Sequence, residues 1–234
     1  MSERVALVSG AARGIGLEVV RELASDGMTV FLGARDVAAG EAARAGLGED
    51  LAARVVVVGL DITDDVSVAA CAETIREHAG RLDVLVNNGG IILDRGESPL
   101  EVDFEIVRRT VDVNLFGAWR LTLAVLPLLR EAAPARVINV SSGMGQLDEM
   151  GTISPGYRIS KLGLNGLTRM LHSALFPQVS VNSICPGWVK TDMGGDGAYL
   201  SIADGADTIL WLARMDSDAL PSGGFYKRRV KIPW

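Results

Sequence analysis

The chain is poor in the residues that staple or metallate small folds. Its 234 residues include two cysteines, Cys71 and Cys185, and two histidines, His78 and His172. The cysteines lie far apart and nothing has metal-ligand spacing, so neither a disulfide framework nor a metal site is expected. A basic excess is also missing. The formal net charge is -6 and the pI about 5.0, which weighs against a nucleic-acid partner. The one basic cluster, Lys227, Arg228, Arg229 and Lys231, reads as a solvated surface patch, with polyanion binding as the alternative. No apolar run approaches the roughly 20 residues of a membrane-spanning helix. The opening MSERVALVSG lacks the long apolar stretch of a secretory leader. Internal repeats, low-complexity tracts and a Pro/Gly/Ser-rich linker are absent too. The expectation is one domain over 1–234, reduced and cytoplasmic, with no membrane partner.

What is present is an ordinary globular composition, 48% hydrophobic and 22% charged. Short apolar runs alternate with longer amphipathic stretches. VALVSG (5–10), TVFLGA (29–34), VVVVGLD (55–61), LDVLVNN (82–88), RVINVSS (136–142) and VSVNSIC (179–185) read as strands, and GGFYKR (223–228) adds a short last one. Runs with no polar alternation belong to a sheet covered on both faces. Helical stretches lie between them, notably 14–26, 101–131, 156–176 and 202–214. Strand–helix alternation with right-handed crossovers predicts an α/β, doubly wound parallel sheet of Rossmann type. Ligands bind such sheets beyond the carboxyl ends of the strands.

The residues after the strands are therefore the ones to weigh. SGAARGIG supplies Gly10, Gly14 and Gly16, which let the chain turn off the strand and bring a helix N-terminus close to a diphosphate; a plain tight turn is the alternative. Arg13 in that loop and Arg35 after the second strand favour a 2′-phosphate, hence NADP(H) over NAD, although Asp36 follows at once. Asp61, before Ile62, suits either an adenine amino group or the cap of the next helix. NNGG puts Asn88 and small residues after the fourth strand, and VSS puts Ser141 and Ser142 after the fifth. CPGWVKTDM follows the sixth, with Pro186, Gly187 and Thr191. The segment from about 188 to 200 is glycine-rich and reads as a substrate-covering lid. Trp188, Met193 and Tyr199, with Met144 and Leu147, are candidates for an apolar substrate wall.

SPGYRISK holds the chemistry. Ser154 is a favourable N-cap residue, and Pro155 suits the first helical position. Tyr157 and Lys161 lie one turn apart on the stripe continued by Leu164, Thr168, Leu171 and Leu175. An inward lysine either snorkels to water or has a job. The job would be to stabilise a phenolate, lowering a tyrosine pKa that is otherwise about 10. Tyr157 then acts as general acid or base, and Ser142 bonds the same carbonyl oxygen.

With these motifs in order, the chain resembles the short-chain dehydrogenase/reductase family over nearly its whole length, and within it the carbonyl reductases. The matching pieces are SGAARGIG, NNGG, Asn114 in VNLFG, VSS, YRISK and CPGWVKTDM. The resemblance implies about seven strands in the order 3-2-1-4-5-6-7 and a tetrad of Asn114, Ser142, Tyr157 and Lys161. Asn114 would hold a water that links Lys161 to solvent. Cofactor contacts would come from Gly10, Arg13, Gly14, Ile15, Gly16, Arg35, Asp61, Ile62, Asn88, Tyr157, Lys161, Pro186, Gly187, Val189 and Thr191. The implied activity is NADPH-dependent reduction of a ketone or aldehyde. An NAD(P)-linked alcohol dehydrogenase working in oxidation, or a non-catalytic dinucleotide sensor, are the alternatives. Two features depart from the family pattern: Gly89 stands where alanine is usual, and 15 residues separate Ser142 from Tyr157, slightly more than is common. The long helical insertion of monomeric carbonyl reductases is missing from this loop, so a homodimer or homotetramer is expected.

Overall fold

Strand β1 (Val5–Ser9) is buried along its whole length, as a strand flanked by neighbours and covered on both faces must be. The computed structural model describes residues 4–234. β1 pairs in parallel with β2 (Thr29–Ala34) on one side and with β4 (Val84–Asn87) on the other. β3 (Val55–Gly59) lies outside β2; β5 (Ala135–Val140), β6 (Val179–Ile184), β7 (Phe225–Lys227) and β8 (Val230–Lys231) continue beyond β4. The order is 3-2-1-4-5-6-7-8, parallel except for the last pair. The expected sequence of strands therefore holds and gains one member. β8 arises because Arg228 and Arg229 both take left-handed backbone, φ 50 and 63, closing a two-residue hairpin of the kind usually built from Asn-Gly. The Arg229 amide on the Thr208 hydroxyl and its guanidinium on Asp207 hold that turn. The basic cluster is thus an exposed hairpin with one arginine paired.

Alternate strand residues feed two cores. Leu7, Phe31, Leu85 and Val137 face α4 (Asp65–Ala79), α6 (Ala118–Glu131) and α7 (Pro155–Leu175). Ala6, Val8, Leu32 and Ile138 face α1 (Gly14–Ser25) and α8 (Ile202–Arg214). Two short helices, α2 (Val37–Ala45) and α3 (Glu49–Ala52), close the β3 edge. The helix expected over 101–131 begins later, as α5 (Phe104–Val111). It runs into α6 through a wide π turn, Asp112–Gly117, that contains Asn114. Taken together, Phe104–Glu131 is long and apolar enough to cross a membrane, against the expectation from the sequence. Here one face of α6 is a core face, burying Leu121, Val125, Leu128 and Leu129.

The chain reverses its order at β1, with β2 to one side and β4 to the other. The crevice that opens there, at the carboxyl ends of the strands, is the site such sheets use. The loops after β1, β2, β4 and β5, which carry SGAARGIG, Arg35, NNGG and VSS, leave the sheet at that end.

Candidate active site

The loop from β1 to α1 is held open by its neighbours. Gly10 has φ +62, and a Cβ there would lie 2.9 Å from the Gly89 Cα. A Cβ at Gly16 would lie 2.6 Å from the Asn88 side-chain nitrogen and 2.7 Å from the Gly10 carbonyl oxygen. Glycine is needed at both for close approach and, at Gly10, for the left-handed turn. Asn88 binds this loop rather than facing away from it: its Nδ2 donates to the carbonyls of Ser9 (2.9 Å) and Gly10 (3.0 Å). The Ser9 hydroxyl accepts from the amides of Asn88 and Gly89. The extended residue before α1 is Arg13, which donates no capping acceptor to the first turn. That leaves a helix N-terminus suited to a diphosphate.

Arg13 meets Asp192 at 2.8 Å in a highly exposed pair, a contact worth little in water. Arg35 is exposed, and Asp36 beside it is occupied, capping α2 by accepting from the Ala39 amide at 3.2 Å. Asp61 does not cap the following helix; Asp64 does, accepting from Val66 and Ser67. Asp61 instead accepts from the Thr63 hydroxyl and amide (2.7 and 2.9 Å), which hold its carboxyl below its usual pKa. The Ile62 side chain is buried against Gly117 and Gly89; only its backbone remains near the crevice. Ile62 and the Ser9 hydroxyl would crowd a Cβ at Gly89, at 3.2 and 3.4 Å, which accounts for glycine there.

On the opposite wall, Gly187 has φ +83 where the chain leaves Pro186, and a Cβ there would strike Leu200. Val189 is buried, pairs with Leu200 in an isolated bridge and packs with Ile15 over Gly205. Thr191 lies against Gly14, 3.4 Å from where its Cβ would be. The 188–200 segment closes on itself: Trp188 Nε1 donates to the Gly194 carbonyl at 2.8 Å, and its ring meets Tyr199 edge-on at 6.2 Å. Of the suggested apolar wall, Trp188, Met193 and Tyr199 share this segment. Leu147 lies apart, exposed, with its amide on the Trp234 carbonyl at 3.3 Å. Met144 offers its carbonyl to Arg158.

Tyr157 and Lys161 are both buried. Lys161 does not snorkel to water; its Nζ donates to the Val140 carbonyl at 2.8 Å and lies 5.6 Å from the Tyr157 ring centroid. The Ser142 side chain lies close enough to the Tyr157 hydroxyl to pull its pKa down, and it accepts from the Met144 amide at 3.1 Å. A Cβ at Gly90 would touch both Asn114 Oδ1 (3.2 Å) and Lys161 Nζ (3.4 Å), so these two polar groups border one small gap. The Asn114 amide is committed to the Ile91 backbone and the Ser160 hydroxyl, all at 2.8–2.9 Å. The tetrad named from the sequence is thus gathered at one place.

Its electrostatics differ from expectation. Burial pushes the Tyr157 hydroxyl up to about 12, and Ser142 only partly offsets this. Burial pulls Lys161 down to about 8. The phenol is therefore held as a phenol, and the cation survives at neutral pH. Desolvation is the largest influence on both groups, a balance that spacing alone does not reveal.

Two residues near Tyr157 were not picked out from the sequence. Ser154 fails as a cap: it sits in left-handed backbone (φ 58) with no side-chain cap bond. The fully buried Asp94 replaces it, its Oδ2 accepting from the amides of Gly156 (2.5 Å) and Tyr157 (3.3 Å). The Cys185 thiol, accepting from the Gly143 amide at 3.1 Å, lies close enough to bear on both Tyr157 and Lys161. Neither carries a local signal; both depend on which loops meet.

The chain is similar to known proteins over nearly its whole length. The short chain dehydrogenase family model matches residues 4–198. The (+)-neomenthol dehydrogenase of Arabidopsis thaliana is 32% identical over 286 aligned residues, covering 97% of this chain and 96% of that protein. Carbonyl reductase (NADPH) 1 of Sus scrofa is 33% identical, covering 99% of this chain and 94% of its own. The crystal structure of NADPH-bound carbonyl reductase from chicken fatty liver superposes with a TM-score of 0.88 at 26% identity, over 100% of both chains.

Proposed function

The chain belongs to the short-chain dehydrogenase/reductase family, and from that premise we propose that it reduces a ketone or aldehyde to an alcohol with NADPH, taking the proton from Tyr157. The observation that carries this reading is the buried Tyr157 with Ser142 close to its hydroxyl and the Lys161 ammonium 5.6 Å from its ring. A phenol kept protonated by its surroundings is already charged for proton delivery to a developing alkoxide. Oxidation would need the phenolate, which burial disfavours.

Gly10, Gly14 and Gly16 would admit the diphosphate, Arg13 and Arg35 the 2′-phosphate, and Asp61, Asn88 and Thr191 would line the rest. When bound, NADPH would supply the hydride, which no side chain can. Ser142 orients the carbonyl oxygen, Tyr157 protonates it, and Lys161 steadies the charge that passes through the phenol. Asn114, fixed on the Ile91 backbone, keeps the gap beside Lys161 polar. The 188–200 segment covers the substrate with an apolar wall.

The test is a panel of ketones and aldehydes, followed by loss of NADPH absorbance across pH. Lys161, with its pKa pulled down to about 8, is a cation below that value and neutral above it. Reduction is expected to hold through neutral pH and to decline as pH rises through about 8. Oxidation of the product alcohol with NADP+ should instead climb with pH as the phenolate becomes reachable. A panel without turnover, or with NADH preferred, defeats the assignment.

We also propose a homodimer or homotetramer. The outer faces of α5, α6 and α7 and the π turn between α5 and α6 leave Phe104, Phe116, Leu123, Ile159 and Met170 exposed, apolar side chains that a second copy would cover. The alignment to the Arabidopsis relative runs to 286 positions against 234 residues here, so that protein carries segments this chain lacks. Size-exclusion chromatography should show a dimer or tetramer; a clean monomer refutes it.

A further inference from the structure

Between β4 and α5 the chain makes four consecutive attachments. Asp94 caps α7 through the amides of Gly156 and Tyr157. The Gly96 amide donates to the Ser154 hydroxyl at 3.2 Å, and the Ser154 amide donates to the Glu97 carbonyl at 2.9 Å. Arg95, between them, points the other way. It is exposed, and its guanidinium donates to the Met193 carbonyl on the 188–200 segment. Met193 and Gly194 form the turn that Trp188 grips from inside that segment. Arg95 has no acidic partner within ion-pair distance among the described residues. Its charge reaches the Tyr157 hydroxyl, where it draws the pKa down against the larger effect of burial.

Resting on the reductase reading, we propose that Arg95 is a positioning residue that latches the 188–200 lid to the segment fastening Tyr157. The lid and the proton donor have no direct hydrogen bond to each other among the described residues. They are joined through two adjacent side chains: Asp94, rigid because it is buried and doubly bonded, and Arg95, which extends from it to the lid. A lid held by a neighbour of the α7 cap closes in register with the tyrosine it must cover. A planar guanidinium can hold a carbonyl while keeping further N–H donors free for the substrate rim. Other charged or titratable groups around Tyr157 are Lys161 on its own helix and Cys185 after β6. Neither contacts the lid carbonyl, so the link belongs to Arg95.

The test uses the full chain with NADPH bound, as wild type, Arg95→Met and Arg95→Lys. A solvent-exposed contact made by a charged side chain corresponds to roughly twofold to fivefold in an equilibrium. Arg95→Met is expected to raise KM for the carbonyl substrate about threefold to fivefold while kcat changes less than about twofold. Trypsin should also cut faster after Lys190, which is exposed in the lid. Arg95→Lys should recover part of both. If Arg95→Met keeps the wild-type KM and the wild-type rate of cutting at Lys190, the latch is refuted. Loss confined to kcat and thermal stability, with Lys190 cut as in wild type, also refutes it. Wild-type protein that reduces no carbonyl would overturn the reductase reading instead; the Lys190 arm still decides the latch.

Discussion

Tyr157→Phe is expected to lose carbonyl reduction by about 10²–10⁴-fold, the range that a positioned proton donor contributes, with NADPH affinity within about threefold of wild type. The substitution removes one oxygen from a side chain that is 8% exposed, and leaves the ring that packs beside Lys161. The Ser142 hydroxyl keeps its bond from the Met144 amide, and Lys161 keeps Val140. Helix α7 keeps its cap, because Asp94 binds the Tyr157 backbone and not its hydroxyl. Activity should therefore fall without the fold or the cofactor site following it. NADPH fluorescence titration and a thermal melt check the second half of that statement, and single-turnover reduction checks the first. A variant that turns over like wild type would show that another group donates the proton.

The parts of this molecule that were readable in its sequence are those where local chemistry and global position agree. Unbroken apolar runs such as VVVVG are short and β-branched, which favours strands over helices, and they fell at β1 to β6. Tyr157 and Lys161 were readable because a helical period places them on the stripe that Leu164, Thr168 and Leu171 bury. What stayed hidden depends on pairs of loops. Ser154 has the composition of a cap, yet left-handed backbone turns its hydroxyl toward Gly96. The working cap, Asp94, lies 62 positions before Gly156, and nothing in its own neighbourhood announces the role. Asp61 and Asp64 offered equal capping chemistry three residues apart, and the backbone chose the second. β8 was invisible because its turn is Arg-Arg, held by Asp207 and Thr208 rather than by turn-forming residues. The high Tyr157 pKa was unreadable for a related reason: desolvation is set by everything packed around the phenol, whereas spacing names only one neighbour.

Gly145→Ala should damage stability and activity together. Gly145 ends the short 3-10 turn Gly143–Gly145 that follows Ser142. A Cβ there would lie 2.7 Å from the Lys161 carbonyl carbon, 2.8 Å from its Cβ and 2.9 Å from the Leu162 amide nitrogen. Two of these atoms are helix backbone, which no rotamer change can move. The turn and α7 must separate, although the Gly145 carbonyl is tied to Asn165 at 3.2 Å and its amide to the Ser142 carbonyl at 2.9 Å. Separation draws Lys161 off the Val140 carbonyl and Tyr157 off Ser142. Overpacking of this kind costs about 1–3 kcal/mol, and misplacing reacting groups by about 1 Å can cost roughly 10²-fold in rate. Both losses are expected together, in denaturant melts and in kcat. Gly143→Ala, in the same turn, is the control. Its Cβ would meet only Gln146 Oε1 at 3.5 Å and Cys185 Sγ at 3.7 Å, ordinary contacts, so stability should stay within about 0.5 kcal/mol of wild type. If the two variants behave alike, then α7 does not rest on this turn, and the position of Lys161 and Tyr157 is set from elsewhere.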